Sequence, residues 1–242
     1  MKEILEKLKN GVLDAVFPTT CIGCGKEGKY ICTRCEGFVS EVALACPICQ
    51  QSSFDGQRHK NCRSLYGLDG LVSVWEYEGL MKSLLYYIKY NGITHAAKET
   101  TKRAFTTMVR DEKRFQPFLS FLSFEDTFLA YVPMYRRKER RRGFNQAAVL
   151  ANEIGKTVNK GAISILEKLK DTKPQIDLSK EERLYNIKDT FTASLYLGAG
   201  RAERVILVDD VWTTGATMKE CCRVLKKVGV KEVWGFTIAR TP

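Results

Sequence analysis

No stretch of this 242-residue chain is apolar over the roughly 20 residues that a membrane span needs. No export signal is expected either. The N-terminus, MKEILEKLKNGVLDAVF, spreads lysines and glutamates along its length where a signal peptide keeps an uninterrupted apolar core. Ile4, Leu5, Leu8, Val12 and Val16 recur there at helical spacing, the pattern of a short amphipathic helix docked on protein or, alternatively, on a membrane surface. Without an export signal the expected compartment is the reducing cytoplasm, where disulfides are disfavoured. What remains is a soluble composition, 44% apolar and 28% charged, with enough chain for one large domain and a small one. The formal net charge of +11 favours polyanionic ligands or nucleic acid without choosing between them.

Seven of the nine cysteines lie between residues 21 and 62, in knuckle spacing. Cys21 pairs with Cys24, Cys32 with Cys35, Cys46 with Cys49, and His59 with Cys62. Four knuckles supply eight ligands, enough for two tetrahedral Zn²⁺ sites. A site closed by four protein ligands has no open position for substrate, so both are expected to be structural. Seven thiolates and two Zn²⁺ would lower the net charge to about +8. Sequential sets, Cys21/Cys24/Cys32/Cys35 and Cys46/Cys49/His59/Cys62, are preferred, and an interleaved arrangement is the alternative. His59 is the weaker ligand, since a histidine is also an ordinary loop residue. Cys221 and Cys222 sit in a helical pattern and read as small buried residues.

Residues 206–217 read ILVDDVWTTGAT. An apolar run, 205–208, has the look of a buried parallel strand. It leads into Asp209 and Asp210, then a hydroxyl-rich turn of Thr213, Thr214, Gly215, Ala216 and Thr217, then a helical pattern. Backbone amides at a helix start and threonine hydroxyls can ring a phosphate, and Gly215 permits close backbone approach. The carboxylates would repel phosphate but can accept hydrogen bonds from a ribose diol. The arrangement proposes a 5′-phosphorylated ribose. A plain strand–turn–helix with acids near a helix N-terminus is the bland alternative.

Along the chain, residues 1–66 form a metal-stapled module with little core of its own, and residues 67–242 form the larger domain. Strands are expected at 71–77, 127–133, 162–166, 205–208 and 232–238, with helical patterns at 79–90, 96–115, 143–157 and 220–228. Pro117 is expected to break the chain after the second helix. Alternating strands and helices argue an α/β fold with a parallel sheet, whose ligands sit at the carboxyl ends of the strands. Residues 168–190 are polar and poorly periodic, which suits a lid or a disordered loop.

Residues 135–146 read YRRKERRRGFNQ and follow the second strand. Arg136, Arg137, Lys138, Arg140, Arg141 and Arg142 place six cations in seven residues. Arginine forks suit pyrophosphate, they suit a nucleic-acid backbone, and a charge run is also often a solvated face.

Taken together, VPMYRRKERRRGFNQA, KPQIDLSKEERLYNIKDTF and ILVDDVWTTGAT behind cysteine knuckles resemble the ComF family of competence proteins along essentially the whole chain. The resemblance implies a type I phosphoribosyltransferase-like parallel sheet flanked by helices, preceded by a small cysteine-rich zinc-ribbon-type domain. It implies phosphoribosyl pyrophosphate (PRPP) and Mg²⁺ as ligands, with Asp209 and Asp210 on the ribose, residues 213–217 on the 5′-phosphate, and Arg136 and Arg137 on pyrophosphate. Arg183 and Asn186 would belong to a mobile loop, Arg183 with a catalytic role. It further implies a cytoplasmic role in DNA uptake during natural transformation, with single-stranded DNA on Lys138, Arg140, Arg141 and Arg142, and competence proteins such as a DNA-uptake helicase as partners. Thr213 stands where 6-oxopurine transferases carry a carboxylate, which argues against hypoxanthine–guanine chemistry. A glutamine-dependent amidotransferase is disfavoured as well, because the chain begins Met1-Lys2-Glu3 rather than with a cysteine nucleophile. Trp212 either stacks on a base or packs. Whether phosphoribosyl transfer occurs is open: the rival is a non-catalytic PRPP-sensing or single-strand-binding scaffold on the same fold.

Overall fold

The computed structural model describes residues 19–91, 94–172, 187–193 and 203–242. The amphipathic stretch expected at 4–16, and Arg183 and Asn186 of the lid segment, lie outside the described residues. In chain order the elements are α1 (Thr33–Glu36), β1 (Gly70–Glu76), α2 (Gly79–Asn91), α3 (Thr94–Arg110), α4 (Glu112–Ser123), β2 (Thr127–Tyr131), α5 (Arg136–Arg142), α6 (Gln146–Val158), β3 (Ala162–Ile163), β4 (Leu166–Lys168), β5 (Phe191–Ala193), β6 (Arg204–Trp212), α7 (Ala216–Lys227) and β7 (Glu232–Arg240).

Five strands form one parallel sheet in the order β1-β7-β6-β2-β3. The expected α/β class is thus borne out. Alternation along β6 explains why the sheet needs cover on both faces. Ile206 and Val208 face one core, against α2, α3, α4 and α6 through Leu84, Met108, Phe118 and Leu150. Val205 and Leu207 face the other, against Cys221, Val224 and Leu225 of α7. Cys221 and Cys222 are fully buried there, as small core residues. Strands β4 and β5 pair antiparallel as a separate two-stranded ribbon. Among the described residues no helix is long and apolar enough to cross a membrane.

Two local expectations change. Pro117 does not end a helix; it lies inside α4. Phe115, Phe118, Phe121 and Leu122 recur on one face and are buried, Phe118 with its ring centroid 5.6 Å from that of Phe236. Each buried aromatic contributes about 1.5–3 kcal/mol, which together exceeds the ~3 kcal/mol cost of an interior proline. The second change is in β6, which does not stop before the acids. Its pairing with β7 continues through Asp209↔Thr237 to Trp212↔Arg240, so the acidic pair is held on strand backbone.

The cysteine-rich segment docks on the sheet domain and shares its core. Cys21, Tyr30, Ile31, Cys35 and Leu44 belong to the same apolar cluster as Val72, Trp75 and Leu84. Arg103 of α3 is the main polar fastening. Its guanidinium donates to the Ile31 carbonyl at 2.6 Å, lies 2.6 Å from the Glu36 carboxylate and is braced by Glu99 at 2.9 Å. Arg240 donates to the Ala43 carbonyl at 3.0 Å, and Arg114 to that of Val42. Arg103→Ala removes charge-assisted bonds from a half-buried seam. We expect a loss of about 1–3 kcal/mol in urea unfolding, with cleavage by a protease moving first into residues 19–66.

Candidate functional site

The metal ligands come first, because they settle the shape of the docked segment. Cys21, Cys24, Cys32 and Cys35 form one cluster, and Cys46, Cys49, His59 and Cys62 another, with the ligand atoms of each set within 4.8 Å of one another. The sets are therefore sequential, and the interleaved alternative falls. Zn–S bonds of about 2.3 Å in a tetrahedron put sulfurs ~3.8 Å apart; Cys24 Sγ and Cys32 Sγ are 3.6 Å apart. His59 turns Nδ1 to Cys49 Sγ at 3.4 Å while Nε2 is 3.0 Å from the Ser52 carbonyl. That leaves Nδ1 for a metal and fixes the ring from behind, the usual support of a ligating imidazole.

The thiols themselves fit a cation. Burial pushes Cys21 up, but the amides of Cys32, Cys24 and Gly23 outweigh it and draw the thiol down to about 6. Cys46 is drawn to about 7 by the amides of Cys49, His59 and Ile48 against its burial. Cys35 is driven up to about 12 by burial and by the neighbouring sulfurs, and Cys62 to about 11 chiefly by Cys49 and then by burial. Four packed thiols cannot all ionise unaided; a dication at their centre makes that possible. Elemental analysis of the purified protein should find close to two Zn²⁺ per chain, and Cys46→Ser should lower that to about one. A wild type with one equivalent that Cys46→Ser leaves unchanged would exclude the second site.

The other site lies at the carboxyl end of the central strands. A cleft of about 290 Å³ is lined by Tyr77, Lys89, Gln146, Asp209, Asp210, Thr213, Gly215, Ala216 and Thr217. Gly215 is at φ 73° and caps α7, so the chain turns sharply and presents the start of that helix to the cleft. A Cβ at Gly215 would lie 2.1 Å from the Trp212 ring. Trp212 is therefore packed beneath the turn, at 2% exposure, and not free to stack on a base. Thr214 Oγ1 accepts from the Ala216 amide at 3.4 Å.

The two acids have different surroundings. Asp210 is buried and ion-paired with Lys89 of α2, Nζ to Oδ2 at 2.6 Å. Burial pulls the Lys89 ammonium down, but Asp210 outweighs it and holds its pKa above the ordinary value. Asp209 accepts from the Asp210 amide at 2.9 Å. Burial first, then the charge of Asp210, pushes its carboxyl up to about 8. Among the described residues lining the cleft, Lys89 is the charged one that no sequence pattern singled out. It sits 120 positions before Asp209 in a helix whose pattern announces only amphipathicity.

The basic run lies at the same end of the sheet, after β2, which pairs with β6. It forms α5 and ends at Gly143, φ 87°. Asn145 anchors its far end, donating to the Val132 carbonyl at 3.0 Å and accepting from the Ala147 amide at 3.0 Å. The cations divide. Arg136 pairs with Glu167 at 2.9 Å and Lys138 with Asp171 at 2.6 Å, both next to the β4–β5 ribbon. Arg142 bonds Gln146 of the cleft. Arg137, Arg140 and Arg141 are exposed. Tyr135 and Phe144, which flank the run, are half-buried.

Because the native Asp209 carboxyl holds its proton to about pH 8 and an unfolded aspartate releases it near pH 3.8, it favours the native state fully only at low pH. That contribution is lost as pH rises through this window. The stability of wild type relative to Asp209→Asn should fall between about pH 5 and pH 8 in paired urea titrations; equal slopes would contradict the buried, like-charge setting.

Comparison with known proteins agrees with this geometry. Residues 140–241 match the phosphoribosyl transferase domain family. Over 226 residues the chain is 29% identical to competence protein F of Haemophilus influenzae, covering 90% of each chain. It is 25% identical to competence protein ComFC of Bacillus subtilis, over 89% of this chain and 86% of that one. It is 23% identical to the DNA utilization protein YhgH of Escherichia coli K12, over 92% and 89%. The matches span the cysteine-rich segment as well as the sheet, and they bear out the resemblance drawn from the motifs.

Proposed function

We propose that this ComF-type protein binds PRPP in the cleft beside Asp209 and Asp210 and transfers its phosphoribosyl group, in the service of single-stranded DNA handling during natural transformation. One observation carries the reading: an adjacent acid pair and a positive-φ glycine turn opening a helix converge on one cleft at the carboxyl end of a parallel sheet. Thr213, Thr214, Gly215, Ala216 and Thr217 take the 5′-phosphate, and the two carboxylates take the 2′ and 3′ hydroxyls. Arg136 and Arg137 take pyrophosphate, and Arg183 has a catalytic role. A nitrogen nucleophile forms the new bond at C1 while the C1–O bond breaks, and pyrophosphate leaves with the electron pair. The acids offset positive charge building on C1 and the ring oxygen, and the arginines offset that of the leaving group. Mg²⁺ bound with PRPP beside Asp209 and Asp210 would supply positive charge that offsets the charge of the departing pyrophosphate.

The relatives' names, competence and DNA utilization, support the nucleic-acid side. Lys138, Arg140, Arg141 and Arg142 supply the phosphate contacts in this reading. The second reading keeps PRPP binding without transfer, the fold serving as a sensor or scaffold. Exchange of labelled pyrophosphate into PRPP across candidate bases separates the two: exchange supports the transferase, and tight PRPP binding without exchange supports the scaffold.

Mg²⁺ and PRPP at 100 times Kd should stabilise the protein by about 2.7 kcal/mol, read as a rise in Tm. Asp209→Asn with Asp210→Asn should abolish that rise while the variant still unfolds cooperatively. An undiminished rise would place the phosphate elsewhere. In the same preparations, log affinity for single-stranded DNA should fall linearly with log salt. Arg140→Gln, Arg141→Gln and Arg142→Gln together should flatten the slope by about two to three phosphates' worth. A salt-independent wild type would return the arginines to a solvated face.

A further inference from the structure

Helix α2 carries a feature that the cleft does not use. Lys82, Tyr86 and Tyr90 recur every four residues and all three are exposed, so they line one face of the helix. Tyr86 and Tyr90 are 61% and 57% exposed, yet they pack on each other with centroids 4.4 Å apart. Arg142, from the basic run, sits 5.5 Å from the Tyr90 ring centroid. Half-buried Arg142 and the two exposed tyrosines form a short column of contacts, the rings tilted 38° to each other. The column is also fixed to the rim of the cleft at two points. Tyr90 is the next residue after Lys89, which is bonded to Asp210, and Arg142 is bonded to Gln146.

We propose that Tyr86 and Tyr90 are the base-stacking platform of the single-strand site, with an unpaired base stacking on Tyr86 to extend the column while Lys82, Arg140 and Arg141 hold the flanking phosphates. This rests on the single-stranded DNA reading above and adds to it where the bases go. Three features select the occupant. The rings are flat, polar-edged and solvated, which suits a base better than an aliphatic side chain. Lys82 stands one turn before Tyr86 and Arg142 lies at the Tyr90 ring, cations that suit a polyanion. Paired bases in a duplex keep their faces stacked on each other, so only an unpaired base can offer one. Tyr135 and Phe144 flank the basic run but are half-buried, whereas the tyrosines of α2 present free ring surface.

The test uses fluorescence anisotropy with the full chain and two labelled strands of about 20 nucleotides, one of thymidines and one abasic with the same number of phosphates. Wild type should prefer the thymidine strand by about tenfold, the contribution of roughly one stacked base. Tyr86→Ala with Tyr90→Ala should bind both strands equally, at the abasic level, and Tyr86→Phe with Tyr90→Phe should keep the preference. Arg140→Gln with Arg141→Gln should weaken both strands by the same factor. The PRPP-dependent rise in Tm should survive in both tyrosine variants, which also reports that they fold. The platform is overturned if the alanine variant retains the thymidine preference, if wild type has none while still binding the abasic strand, or if a duplex of equal length binds as tightly. Absence of binding to either strand would instead overturn the single-stranded DNA reading itself, and the platform with it.

Discussion

Two carboxylates side by side on one buried strand repel each other, and the carboxyl end of this protein is organised around keeping them there. At an effective dielectric of about 20, unit charges ~4 Å apart cost about 4 kcal/mol. The protein reduces that cost in two ways. Lys89 supplies a counter-charge to Asp210, and the Asp209 carboxyl, pushed up to about 8 by burial and by Asp210, gives up its proton less readily. The carboxyls thus arrive at the cleft unequal, Asp210 already paired with Lys89 and Asp209 pushed up by burial and by its neighbour's charge. Lys89 lies outside the matched 140–241 segment, so the helix that follows β1 completes a site whose acids belong to that segment.

The cysteine-rich segment follows from a similar economy of scale. Some forty residues enclose too little apolar surface to fold on hydrophobic burial alone. Two tetrahedral metal sites would fix the loops locally, and the segment then gives its few large side chains, Tyr30, Ile31 and Leu44, to the core of the sheet domain. Arg103 satisfies the seam's backbone carbonyl at Ile31 and a carboxylate on each side. With metal bound, the two clusters would act as structural cross-links of the segment.

The basic run is divided between neighbours by geometry. Its first residues lean on Glu167 and Asp171 beside the β4–β5 ribbon, while its last residue leans on Gln146 and Tyr90. A short helix ending in a positive-φ glycine fans its arginines over more than one direction.

Much of this was legible in the sequence because it is written in local pattern. Knuckle spacing pairs the metal ligands two by two, apolar strand runs alternating with helical periods fix the parallel class, and an acid pair before a threonine-glycine turn marks the end of a strand. Other features depended on distant contacts. Pro117 inside α4 is tolerated because three phenylalanines and a leucine find the sheet, a gain that no local propensity contains. Trp212 packs because Gly215 leaves room for its ring. Sequential against interleaved ligation needed the fold of the loops. Lys89 needed it most, since an ordinary lysine on an amphipathic helix becomes part of the site only when the sheet brings α2 beside β6. The sequence determined which chemistry the chain could hold, and tertiary structure decided which charges face each other, because the energy of a charge pair depends on separation in space and burial and not on separation along the chain.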